Sequence, residues 1–250
     1  MPYSEIDNIS GCVAIVPAAG VGRRFFSDIP KQYSIIPPFK LGERSSKKCV
    51  LDFTLSLLLE SDQIDKVILV VSNKDQYYSN LKEIEHKKLV IVDGGVERIN
   101  SVHNALKYLF DIGINANVPV LVHDAVRPCL SKHDLNLLIK KYNELNAPCF
   151  LSSKVSDSIK RVDESGQVIE NVERDDLVRA LTPQIAKFKD LNKAISTVIQ
   201  NDVLVTDEIA ALINCDYSAN AVPSNGSNIK ITYAEDLELA SEILSRANKS

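Results

Sequence analysis

V-A-I-V-P-A-A-G-V-G-R-R-F-F-S-D-I-P-K-Q-Y, residues 13–33, decides how the rest of the chain is read. The apolar run Val13–Val16 predicts a buried parallel strand. Pro17, Ala18, Ala19, Gly20, Val21 and Gly22 follow, none with a side chain larger than valine. Such a loop lets a ligand approach the backbone and lets its N–H groups point at an anion. Arg23, Arg24 and Lys31 then supply cations. Small residues after a strand, followed by Arg forks and a Lys point charge, suit a polyphosphate.

Two known phosphate loops do not fit. The G-x-x-x-x-G-K-[ST] loop lacks its Gly-Lys-Ser/Thr ending here, and in G-x-G-x-x-G the third glycine position holds Phe25. A bland reading stays open, a tight strand-to-helix turn with solvated arginines. Arg24 with Pro30-Lys31-Gln32 favours a nucleoside triphosphate site over it.

The 250 residues are enough for one large α/β domain, and 45% hydrophobic with 25% charged residues is ordinary globular composition. A net charge of −4 argues against nucleic acid as the main partner. Five scattered cysteines with no C-x-x-C pair read as buried apolar residues in a reducing compartment. The polar N-terminus with two acids is neither a secretory signal nor a transit peptide, and no apolar run approaches the roughly 20 residues of a membrane span. A cytoplasmic protein is expected.

Along the chain, residues 34–51 read as an exposed loop and 52–60 as a helix. Strands are expected at 65–72, 89–92 and 118–122, with helices over 76–86, from 98 to 108, and over 131–145, the last capped by Ser131. Alternating strands and helices indicate an open, mostly parallel sheet, whose functional loops gather at the strands' carboxyl ends. That brings 20–24, 94–101 and 124–127 to one crevice. Residues 155–162 and 167–172 flank Asp163-Glu-Ser-Gly166 as a polar β-hairpin, marginal alone and expected to pack on a second subunit. Helices over 188–199, from Thr206 to Ile213 and over 236–246, with short strands at 219–222 and 228–232, complete the prediction.

Each candidate site has a plain alternative. Gly94 and Gly95 with Arg98 and Ser101 form either a floor for a flat base or merely a capped turn. Asp124 at a strand end can hold Mg²⁺ or a sugar hydroxyl, with Ala125 beside it and Arg127 orienting it, against a local ion pair closing a loop. His123 reads as a core-edge histidine. Lys230 between Ile229 and Ile231 faces either the crevice or solvent. There is no nucleophile elbow, Cys–His pairing or H-E-x-x-H.

P-A-A-G-V-G-R-R, P-K-Q-Y, D-G-G-V-E-R-I-N-S-V, V-L-V-H-D-A-V-R-P, D-S-I-K-R-V, A-L-T-P-Q, T-D-E and N-I-K-I-T-Y-A-E-D-L occur in that order between Pro17 and Leu237. This ordered set resembles the 2-C-methyl-D-erythritol 4-phosphate cytidylyltransferases of the non-mevalonate isoprenoid pathway. The resemblance implies a Rossmann-like nucleotidyltransferase domain over 1–250, with 154–176 as an arm interlocking two copies in a homodimer. It implies cytidylyl transfer from CTP to 2-C-methyl-D-erythritol 4-phosphate, with Mg²⁺ held mostly by the CTP phosphates and secondarily by Asp124. By the same resemblance, Arg24 and Lys31 stabilise the transition state, while Lys230 and Arg174, from the partner's arm, position the acceptor phosphate. Pro17–Gly22, Gly94, Gly95, Arg98 and Ser101 hold the nucleotide; Asp124, Ala125, Arg127, Ser158 and Thr182 line the acceptor pocket.

That chemistry fits the residue types. A phosphate monoester with its second pKa near ~6 is mostly ionised at pH 7 and needs no general base. Its difficulty is repulsion from the triphosphate, so catalysis reduces to positioning and charge neutralisation. Ser158, Val96 and Ser227 depart from the family pattern, which more commonly has Thr at the first and an acid at the other two. The nearest rival is a ribitol-5-phosphate cytidylyltransferase; sugar-1-phosphate nucleotidyltransferases, a non-catalytic nucleotide-binding regulator and a dinucleotide-binding dehydrogenase fit less well. No fused second enzyme of the pathway is expected.

Overall fold

The structure is a computed structural model that describes residues 9–20, 29–37 and 48–247. Arg24, Gly22 and residues 38–47 therefore lie outside the described residues. A seven-stranded sheet forms the centre. Its strands are β1 (Cys12–Pro17), β2 (Ile64–Val71), β3 (Leu89–Asp93), β4 (Pro119–Val122), β5 (Cys149–Lys154), β8 (Val178–Lys187) and β9 (Asn220–Pro223). They lie in the order β3-β2-β1-β4-β8-β5-β9. All neighbours are parallel except those of β8, which runs antiparallel between β4 and β5. The mostly parallel α/β fold expected from the alternation of strands and helices is thus observed.

Period-2 alternation divides β1 between two cores. Ala14 and Val16 pack with Leu51, Leu55 and Leu58 of α1 (Val50–Leu59) and Leu135, Leu138 and Tyr142 of α3 (Lys132–Leu145). Val13 and Ile15 face α2 (Arg98–Asp111) and α4 (Phe188–Gln200). Both helices place apolar residues at helical spacing: Val102, Ala105, Leu106 and Leu109, then Phe188, Leu191, Ile195 and Val198. A strand covered on both faces needs a continuous apolar run, which is what β1 has. Ser131 caps α3 by accepting from Asp134 N–H at 3.0 Å, as its sequence predicts.

Two expectations fail. Residues 76–86 hold only a 3₁₀ turn at Tyr78–Asn80. Asp75 Oδ1 accepts from the N–H groups of Tyr77 (2.8 Å) and Tyr78 (3.1 Å), a local arrangement that competes with helix. Residues 228–232 belong to no strand; the segment is a strap whose Ile231 N–H donates to the Val126 carbonyl at 2.8 Å. In addition, β5 and β8 are strands for which the sequence raises no expectation. Pro183 has no N–H for the ladder, and the β5–β8 register shifts between Phe150 and Ser152, opposite Leu181–Pro183.

The hairpin forms as β6 (Ile159–Val162) and β7 (Val168–Val172), antiparallel and separate from the main sheet. Asp163 Oδ1 and Gly166 in the left-handed region shape its turn. Two further helices, α5 (Glu208–Asn214) and α6 (Asp236–Ala247), complete the chain. Cys12, Cys49, Cys129 and Cys149 are buried, and burial pushes the first three thiols to about 12, so they are inert. Among the described residues no helix is long and apolar enough to cross a membrane.

Candidate active site

The carboxyl ends of β1, β3 and β4 open into one cleft, lined by Pro17, Ala18, Ala19 and Gly20, by Gly95–Arg98 and Ser101, and by Asp124–Val126. Lys31 and Lys230 line it too, although 199 positions separate them, and Lys31 Nζ donates to the Ile231 carbonyl at 3.1 Å. Lys230 therefore faces the crevice, resolving its two readings.

The loop after β1 is held open by a residue whose role the sequence does not single out. Gln32, buried, donates Nε2 to the carbonyls of Ala18 (2.7 Å) and Gly20 (3.1 Å). These bonds fix the Ala18 and Gly20 carbonyls, while the Ala18 N–H is spent on the Val70 carbonyl at 2.7 Å. Across the cleft, Gly94 and Gly95 are shaped by the chain itself. A Cβ on Gly94 would lie 2.4 Å from Ala19 Cβ, and one on Gly95 2.3 Å from Asn100 Cβ. Only glycine permits the β3–α2 turn to sit so close. Ser101 Oγ accepts from Gly95 N–H at 3.1 Å and donates to the Glu97 carbonyl at 3.2 Å, so its hydroxyl builds the turn. Val96 is 99% exposed on the rim.

At the floor, Asp124 is the hub of a cation cluster. Oδ1 takes Arg98 Nε at 3.1 Å; Oδ2 takes Lys230 Nζ at 2.9 Å and Arg127 Nε at 3.4 Å. Burial by itself pushes this carboxyl up, but Arg98, Lys230 and Arg127 together outweigh it and hold it well below the usual carboxylate range. Arg127 also donates to the Asn228 carbonyl at 2.8 Å, closing the β4–α3 loop onto the 228–232 strap. The ion-pair reading of Asp124 and Arg127 is therefore realised, and it is what places Lys230. Arg98 is bound further, by a fork to Glu208 at 2.7 and 3.1 Å; sequence reasoning assigned Glu208 no part.

Thr182, beside the cleft, serves as a brace. Its Oγ1 accepts from Asp124 N–H at 3.0 Å and meets His123 Nδ1 at 3.1 Å. His123 Nε2 faces the Arg127 carbonyl at 3.2 Å. A carbonyl only accepts, so Nε2 carries the proton and Nδ1 accepts from Thr182. Burial, with Arg127 adding to it against the pull of Asp124, drops the imidazole to about 4.

Thr182, Gln184, Thr206 and Asp207 continue the cleft past Asp124 and Lys230. Ser158 and Arg174 sit on the exposed arm, and Arg174 donates to the Ser156 carbonyl; neither is among the residues lining the cleft in a single copy. A metal held by Asp124 does not fit this donor set. Its carboxylate already meets three cations, and among the described residues no group of three or more His, Cys, Asp or Glu is placed to hold an ion.

Residues 12–246 match the family model described as 2-C-methyl-D-erythritol 4-phosphate cytidylyltransferase. A protein of that name from Shewanella halifaxensis (strain HAW-EB4) is 39% identical over 235 residues, 94% of this chain and 96% of the relative. One from Vibrio parahaemolyticus serotype O3:K6 (strain RIMD 2210633) is 39% identical over 243 residues, 96% of this chain and 98% of the relative. The crystal structure of the Francisella tularensis 2-C-methyl-D-erythritol 4-phosphate cytidylyltransferase superposes with a TM-score of 0.77 at 32% identity, covering 94% of this chain and 100% of that one.

Proposed function

The chain belongs to the 2-C-methyl-D-erythritol 4-phosphate cytidylyltransferase family, and from that premise we propose that its cleft transfers the cytidylyl group of CTP to 2-C-methyl-D-erythritol 4-phosphate. An oxygen of the acceptor's phosphate attacks the α-phosphorus of CTP, and the bond to the β-phosphate oxygen breaks. The products are 4-diphosphocytidyl-2-C-methyl-D-erythritol and diphosphate. The observation that carries the reading is the meeting of Lys31 and Lys230 in one cleft, beside a small-residue loop whose carbonyls Gln32 restrains.

The acceptor phosphate carries its own negative charge, so no group in the site has to remove a proton. Lys31 neutralises charge gathering on the phosphates, and Lys230, steadied by Asp124, receives the acceptor's phosphate. Arg24, outside the described residues, is assigned with Lys31 to the transition state. Gly94, Gly95 and Ser101 shape the turn against which the nucleotide lies; Asp124, Ala125, Arg127 and Thr182 shape the acceptor side. Mg²⁺ comes with CTP on its phosphates, and Asp124 is left to the cations.

The active form is a homodimer in this reading. Val162, Val168 and Ile169 are more than half exposed on a two-stranded arm, and apolar side chains so placed favour cover by a second copy. That pairing brings Arg174, with Ser158, to the partner's acceptor pocket. Unpaired cysteines suit a reducing compartment, and the cytoplasm is the proposed location. The test is mass spectrometry of the product from CTP with 2-C-methyl-D-erythritol 4-phosphate, run beside ribitol 5-phosphate. Diphosphate released only with the first acceptor, and a product of the expected mass, supports the reading; turnover confined to the second overturns it.

A further inference from the structure

Glu208 is one of the best-held charges in the molecule, and nothing in the transfer step calls on it directly. Its side chain is 2% exposed, at the start of α5, and its two oxygens take both ends of the Arg98 guanidinium. Arg98 Nε reaches Asp124 Oδ1, so one guanidinium spans two carboxylates. Asp124 Oδ2 is then left for Lys230 and, more loosely, for Arg127. Three cations against two carboxylates give the cluster one surplus positive charge. Without the Glu208 charge, three cations compete for the two oxygens of Asp124. Against Lys230, Arg98 is the stronger competitor, because its fork matches a carboxylate in a way an ammonium does not.

We propose that Glu208 is a positioning residue for the acceptor phosphate: by occupying Arg98 it reserves Asp124 Oδ2 for Lys230 and so fixes the Lys230 ammonium at the cleft. This rests on the reading of Lys230 given above. Glu208→Gln preserves size and one acceptor while removing the charge. The expected result is a kcat lower by about 10–100-fold, with the KM for CTP changed less than about threefold, since misplacing one group by an ångström costs rate on that scale. A double-mutant cycle separates positioning from mere support. In a Lys230→Ala background Glu208→Gln should cost less than about threefold, because the group it positions is gone. Glu208→Asp, which keeps the charge, should recover part of the lost rate.

All rates are taken well below each variant's unfolding midpoint. If Glu208→Gln does not fold, Arg98→Lys poses the same question, since a lysine cannot fork to Glu208 and reach Asp124 together. The proposal is overturned if Glu208→Gln leaves kcat unchanged, or lowers it by the same factor with and without Lys230. A readout without substrate keeps this distinct from the functional reading. The ¹⁵N resonance of the Lys230 ammonium, assigned by its loss in Lys230→Ala, should shift in Glu208→Gln. An unmoved resonance sinks the positioning role even if wild type proves inactive toward this acceptor, and a moved one supports it independently of that outcome.

Discussion

Acidification should weaken the fold through His123, and the structure supplies both sign and size. The imidazole is fully buried, with Nε2–H on the Arg127 carbonyl and Nδ1 accepting from the Thr182 hydroxyl. Burial lowers it to about 4 from an ordinary 6.5. Between those values the unfolded chain binds the extra proton and the folded chain refuses it. Stability from this group is therefore complete above 6.5 and is lost as pH falls toward 4. From about pH 7.5 to about pH 4.5 the linkage amounts to about 2–3 kcal/mol, on the order of a hundredfold in the folding constant. The assay is the urea unfolding midpoint at several pH values for wild type and for His123→Gln. Glutamine offers an N–H to the Arg127 carbonyl and an oxygen to Thr182, with nothing to titrate. Asp124 and every other carboxylate are common to both proteins, so the difference between the two curves isolates the imidazole. Wild type should lose about 2–3 kcal/mol more than the variant over that range. Parallel curves, or a wild type that gains on acidification, would refute the assignment of a neutral, doubly bonded His123.

Further outcomes follow from the cleft itself. Lys31→Ala should lower turnover by about 10²–10³-fold while weakening CTP binding far less, because a cation aimed at developing charge acts mainly in the transition state; near-normal turnover would remove Lys31 from that role. Gly94→Ala puts a methyl 2.4 Å from Ala19 Cβ, so calorimetric titration should show CTP affinity falling by about tenfold or more as the turn is pushed off the β1 loop. Unchanged affinity would mean that the close approach is not needed for binding. If Arg174 acts across a dimer, mixing inactive Arg174→Ala with inactive Lys31→Ala should restore about a quarter of wild-type activity by random pairing in a two-fold dimer. No recovery would keep Arg174 in its own subunit or out of the reaction.

Much of this site is legible from local sequence because small residues and cations cluster at strand ends, where an open parallel sheet collects its loops. Pro17–Gly20, Gly95 and Asp124 line one cleft at the strand ends where the pattern places them, and Lys230, whose sequence leaves it facing either crevice or solvent, joins them only in the structure. The roles of neighbouring residues are less legible. Ser101 reads equally as a base contact or a cap, and only its partners, Gly95 N–H and the Glu97 carbonyl, show it building the turn. Gln32 lies in P-K-Q-Y and Glu208 in T-D-E, yet the sequence gives neither a role, since an amide or an acid near a helix start is ordinary anywhere.

By itself the sequence determined the layered core and the strands β1–β4, because apolar periodicity is a local property that burial on two faces reads directly. It also determined which family the ordered motifs resemble. Only the tertiary structure decided that β8 runs antiparallel through the sheet in spite of Pro183, and that residues 228–232 form a strap. It alone joined Asp124 to Arg98, Lys230 and, at one remove, Glu208, across separations of 26, 106 and 84 positions. Charges interact through space at a few ångströms, and no window along the chain carries that information.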